Sequence, residues 1–128
     1  MNNKSVALLL ALFTLLIIAL LVVAFLETTT IDLQIVNNQL SRNKALYIAD
    51  AGIEYAVYRL KVSKANFTQS TQLPSGSGNT YSVTYVSSSG IITSTGTLAS
   101  GESVTLEAKV SVTGSSPFTV KILYWREL

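Results

Sequence analysis

The sequence predicts an α+β fold in which one long N-terminal helix, part membrane span and part amphipathic, packs on a C-terminal antiparallel sheet of about four strands. Three observations carry this reading. Val6 to Leu26 is a run of twenty-one residues in which only Thr14 is polar. Neither glycine nor proline occurs before Gly52, so nothing interrupts a helix that begins with that run. From Tyr81 onward the apolar residues recur at every second position rather than every third or fourth, the change of period that separates strand from helix.

Met1 to Ser5 form a short leader whose only charge, Lys4, places it in the cytoplasm by the positive-inside rule. The run at 6–26 is long enough to cross a bilayer, because about 20 apolar residues at about 1.5 Å rise span a hydrocarbon core of about 30 Å. It exceeds the apolar core of a cleaved export signal, which is about 7–15 residues. Phe25-Leu26-Glu27-Thr28 also lacks the small-residue site at which such signals are cut. The expected location is the inner, cytoplasmic membrane, crossed once, with the C-terminal domain outside the cytoplasm.

Residues 27–64 continue the helix in amphipathic form. Leu33, Val36, Leu40, Tyr47, Ala51, Tyr55, Tyr58 and Val62 recur at helical spacings, with Gln34, Asn38, Gln39, Arg42 and Asn43 on other sides. This stripe is the best apolar surface left to cover one face of a sheet. A helix from about Ser5 to Ser63 is expected to reach about 90 Å at about 1.5 Å per residue. Its weakest point is Thr28-Thr29-Thr30, where β-branched side chains carry a small helix penalty. A second stripe, Ala45, Ala49, Gly52 and Ala56, holds small residues alone. Glycine costs a helix interior about 1 kcal/mol relative to alanine, so Gly52 implies a close neighbour, either the chain's own sheet or another helix.

Residues 65–80, with Pro74-Ser75-Gly76-Ser77-Gly78, read as a connecting loop in which Asn66-Phe67-Thr68 matches a glycosylation sequon. The β domain occupies 81–128. Tyr81, Val83 and Tyr85 mark its first strand and Ile91 to Leu98 a weaker second. Val104, Leu106, Ala108, Val110 and Val112 mark the third, with Glu107 and Lys109 left in water, and Phe118, Val120, Ile122 and Tyr124 mark the last. Short turns at 87–90, 99–102 and 113–117 join these strands into an antiparallel meander.

Composition narrows the chemistry. The net charge of +2 is slight and the basic residues are scattered, so no nucleic-acid surface is indicated. Without cysteine there is no disulfide framework, and without histidine or cysteine the commonest general base, the thiol nucleophile and the usual zinc ligands are missing. No enzyme, cofactor or metal centre is expected. Asp50 and Glu54 fall at i, i+4 and put two acids on one side of the helix, which reads as a solvated or neighbour-facing edge rather than a chelating pair. Trp125, Tyr124 and Tyr81 are the aromatic residues a ligand-binding β domain would use.

A span that runs into a helix ending Ala45-Leu-Tyr-Ile-Ala-Asp-Ala-Gly-Ile-Glu-Tyr-Ala56, followed by a β-rich tail, resembles type IV minor pilins and pseudopilins, nearest the PilX type. The likeness covers Val6 to about Leu60, and its specific part is Ala-x-x-x-Ala-[Asp/Glu]-Ala-Gly, here Ala45 to Gly52. It implies a membrane-stored subunit that joins a thin filament beside other pilin-like subunits and their assembly machinery. It further implies cutting by a prepilin peptidase between Ser5 and Val6, where the family usually has glycine before the cut. The position matching the family's early glutamate is Leu10, which cannot pair with a neighbour's free amino terminus, and this points to a minor or tip-type component. Two other expectations stand beside it: a single-pass anchored protein with an extracytoplasmic ligand-binding β domain, and a β protein released by signal cleavage.

Overall fold

A computed structural model describes residues 2–128. The element order is α1 (Asn3–Leu60), β1 (Phe67–Gln72), β2 (Thr80–Val86), β3 (Ile91–Thr97), β4 (Ser103–Thr113) and β5 (Thr119–Glu127). The chain divides into two compact units, up to Asn38 and from Gln39 to Leu128.

The first unit is helix alone, and all its described side chains are exposed. It carries the one segment among the described residues that is long and apolar enough to cross a membrane. Thr28-Thr29-Thr30, the expected weak point, remains helical. Each hydroxyl donates back to the carbonyl four residues earlier, on Ala24, Phe25 and Leu26, at 2.9–3.0 Å. In an apolar setting this satisfies a hydroxyl that otherwise has no partner.

The second unit sets residues 39–60 of α1 on a five-stranded antiparallel sheet of order β1-β2-β3-β4-β5. Its core joins Ala45, Ile48, Ala49, Ile53, Ala56 and Leu60 of the helix to Tyr81, Val83, Tyr85, Ile92, Val104, Leu106, Ala108 and Val110 of the sheet. The strict alternation of buried and less buried residues along β2, β3 and β4 reflects one covered face. The α+β class and the meander agree with the sequence.

Four features differ from the sequence reading. The segment expected as a loop over 65–80 contains β1, which pairs with β2 from Phe67↔Tyr85 to Gln72↔Thr80. Its residues after Phe67 are Thr, Gln and Ser, so an edge strand paired through its backbone left no apolar signature. The helix ends at Leu60 and closes in turns through Ser63, whose amide donates to the Arg59 carbonyl at 3.1 Å. The stripe expected to lie on the sheet does not do so: Leu40, Tyr47, Tyr58 and Val62 are exposed and only Tyr55 is partly buried against the core. The sheet lies instead on the small-residue stripe flanked by Ile48, Ile53 and Leu60, and the small residues let helix and strand backbones touch. Finally, β5 is not one alternation. Val110 pairs with Ile122 but Lys109 with Tyr124, so Leu123 is an extra, bulged residue and the inward-facing set changes parity across it.

Candidate functional site

The small-residue stripe is assembled as a contact surface. Ala45, Ala49, Gly52 and Ala56 are all buried, and β3 lies beneath them. A Cβ placed on Gly96 would fall 2.2 Å from the Ala45 carbonyl oxygen and 2.5 Å from the Ala49 nitrogen, so helix and strand backbones are in direct contact there. A Cβ on Gly52 would fall 2.1 Å from Ser94 Oγ and 3.1 Å from Tyr81 Cδ2. Ser94 is fully buried, and its hydroxyl has no hydrogen-bond partner. Gly96 and Ser94 escaped the sequence reading. A glycine inside a strand pattern is the signal of close backbone approach that would have found the first of them.

The second surface is created by the bulge. Before Leu123 the helix-facing residues of β5 are Val120 and Ile122, opposite Val112 and Val110; after it they are Trp125 and Glu127, opposite Ala108 and Leu106. Tyr124, expected to face with Val120 and Ile122, is thereby moved to the outer face opposite Lys109. Trp125 stays half exposed at 49 % and, with Ile122, forms one wall of an open groove of about 360 Å³. The helix supplies the other wall through Asp50, Ile53, Glu54, Val57 and Tyr58, with Lys61 just past its end. The amide of Phe118 donates to the Lys61 carbonyl at 2.8 Å and fixes the start of β5 at the end of the helix. Arg42 and Glu127 form an ion pair at 2.7 Å toward the strand's other end.

The three aromatic residues expected at a ligand site are not together. Tyr81 is in the core, its ring 6.0 Å from that of Tyr55. Tyr124 is on the outer face, where its hydroxyl donates to Glu107 Oε1 at 3.2 Å, and Trp125 alone is in the groove. Glu107, expected in water, is partly shielded and accepts from Arg126 at 2.7 Å as well. Asp50 and Glu54 flank the groove without forming an ion pair among the described residues, and no group of three or more potential metal ligands occurs there.

The remaining positions carry simpler facts. Ser5, Val6 and Leu10 are exposed on the helix of the first unit. The Asn66 sequon is folded into the edge of the sheet: Asn66 Oδ1 accepts the Ser87 amide at 2.7 Å, Phe67 is buried, and the Thr68 and Thr84 hydroxyls pair at 3.2 Å. In the β3–β4 turn the Ser100 hydroxyl donates to Glu102, which together with the residue's own amide holds that carboxyl below its ordinary range. The arrangement offers contact surfaces: one closed by the chain itself and one, under β5, left open. No protein-family model, curated protein or solved structure matches the chain.

Proposed function

We propose that the chain is a non-enzymatic minor pilin-like (pseudopilin) subunit, held in a membrane by residues 6–26 and assembled into, or at the tip of, a type IV pilus or secretion-type filament. The division of α1 carries this reading. Over residues 39–60 the small-residue face is closed against the sheet, while Leu40, Tyr47 and Tyr58 are exposed, as are all the apolar side chains of the first unit. A helix that buries Ile48, Ile53 and Leu60 in its own domain but leaves Leu40, Tyr47 and Tyr58 uncovered is suited to lie in lipid and then among other helices. The Ala45 to Gly52 pattern supports the same reading through its resemblance to the family.

In that role a prepilin peptidase cuts between Ser5 and Val6 and frees a charged amino terminus. Leu10 offers a neighbouring copy no carboxylate, and an unpaired charge in an apolar filament core costs on the order of several kcal/mol. The subunit is therefore rare or terminal in its filament, and Leu10→Glu raises its incorporation. The test is to express tagged chains in the native host, shear and purify filaments, and compare tag in filament and membrane fractions, with intact mass reporting the cut. Long filaments made mainly of the unaltered protein defeat the reading. An uncut chain confined to the membrane favours the second reading, an anchored ligand-binding domain, which the groove beside Trp125 supports.

A further inference from the structure

We propose that the groove under β5 receives the outer face of the β4–β5 pair of a second copy of this chain. Asp50 and Glu54 lie one helical turn apart on the groove's helix wall, with Cβ atoms about 5–6 Å apart as i, i+4 residues are. On the other face of β4–β5, the register Lys109↔Tyr124 and Ser111↔Lys121 puts Lys109 and Lys121 on adjacent strands, diagonally across the bulge. None of these four charges is ion-paired within the chain: the two ion pairs among the described residues are Arg42–Glu127 and Arg126–Glu107. Each like-charged pair is a small cost in an isolated copy, and the two pairs are opposite in sign.

The apolar parts fit as well. Tyr124 lies opposite Lys109 on the donor face, while Trp125 and Tyr58 give the groove aromatic faces that attract a lysine ammonium. Lys61 is the one cation in the groove and lies two turns beyond Glu54, so the incoming lysines enter at the Asp50 end. The groove lies between the helix and the inner side of β5 and the lysines lie on the outer face of β4–β5, so the two cannot meet within one chain. The contact is thus heterologous, joining two different surfaces of the two copies. It needs only two copies in one membrane and does not rest on the filament reading.

The chain has no cysteine, so introduced thiols report the contact directly. Full-length chains carrying Glu54→Cys or Lys121→Cys, with different tags, are co-expressed and oxidised in membranes. The mixed disulfide dimer is expected at about ten-fold the level of either homodimer. Asp50→Lys on the first chain abolishes that excess and Lys109→Asp on the second restores it, while thermal melts show that every variant folds. Homodimers as abundant as the mixed dimer, no dimer at all, or failure of the charge exchange to restore it overturns the proposal. So does protection of the Glu54→Cys thiol by tetramethylammonium without any mixed dimer, which assigns the groove to a small organic cation.

Discussion

β3 and β5 flank β4, pair with it in the same antiparallel sense, and meet opposite fates. β3 turns Ile92, Ser94 and Gly96 toward the helix, only one of them with a large apolar side chain, and all are buried. β5 carries Val120, Ile122, Leu123, Tyr124 and Trp125 and is open along nearly its whole length. The difference originates in the helix. Ala45, Ala49 and Gly52 let it descend on β3 until nothing larger than a hydroxyl fits between them, and the sheet's edge then overhangs the helix flank. Closeness of approach, rather than apolar content, selects the interior strand. The apolar surplus of β5 is left as surface, which is where contact with other molecules is usually made.

The hardest test of this contrast places one charge on each side of it. Leu106 is fully buried opposite Ser94, so Leu106→Asp leaves an unpaired carboxylate in the core at a cost of several kcal/mol, comparable with the about 5–15 kcal/mol of a small domain's whole stability. The cooperative melt of the full chain in detergent should disappear. Leu123→Asp, at the 54 % exposed bulge, should cost less than about 1 kcal/mol. Equal damage from both would mean that β5 is covered. A gentler version adds one methyl and removes one large ring. Gly96→Ala drives a Cβ into helix backbone and should cost near the upper end of about 1–3 kcal/mol. Trp125→Ala, in the open groove, should cost about 1 kcal/mol. The reverse order would refute the division into closed and open halves.

Much of the closed half was legible in the sequence. The long apolar run, the uninterrupted helix, the alternation of β2, β3 and β4 and the stripe through Ala45, Ala49, Gly52 and Ala56 all follow from period and residue size. What misled was the assumption that a sheet seeks the largest apolar stripe: Tyr47 and Tyr58 are 72 % and 69 % exposed because they face away from a contact that bulk would have prevented. β1 was illegible because its pairing is a backbone property and its side chains are polar. The groove was illegible for a different reason. It depends on one bulged residue, Leu123, and a register shift of one cannot be read from a strand whose residues on both sides of the shift are apolar.

The contact between Gly52 and Ser94 sharpens the comparison at the scale of single atoms. Gly52→Leu should destabilise by about 1–3 kcal/mol although leucine is the better helix former. The nearest obstacle is a side-chain oxygen, so Ser94→Ala in the same chain should recover part of that loss. Ser94→Ala alone removes a buried hydroxyl that makes no hydrogen bond, and it should change stability by less than about 1 kcal/mol, in the stabilising direction. A double-mutant cycle over thermal melts reads the coupling. Strict additivity would mean that the helix and β3 relax apart instead of sharing that space.

The smallest expected effect lies in the turn that leads out of the closed half. The Ser100 hydroxyl, and after it the Glu102 amide, hydrogen-bonds the Glu102 carboxylate and holds its pKa below the ordinary glutamate value. A depressed folded-state pKa stabilises the fold at pH above the unfolded value, and that contribution is lost as pH falls through the folded value. The Glu102 side chain is fully exposed, so solvent screens the effect and no change in melting temperature is expected at neutral pH. The carboxyl's own titration is the sensitive readout. Followed by its carbon chemical shift, the Glu102 midpoint should rise toward the ordinary value in Ser100→Ala. The turn is held by the Leu98 amide on the Glu102 carbonyl and the Gly101 amide on the Leu98 carbonyl, at 2.8 and 2.9 Å, and neither bond involves the substituted side chain. A midpoint that does not move therefore means the Ser100 hydroxyl is turned to water and the closed half ends at Leu98. A midpoint that rises extends its order to Glu102, the last residue before β4.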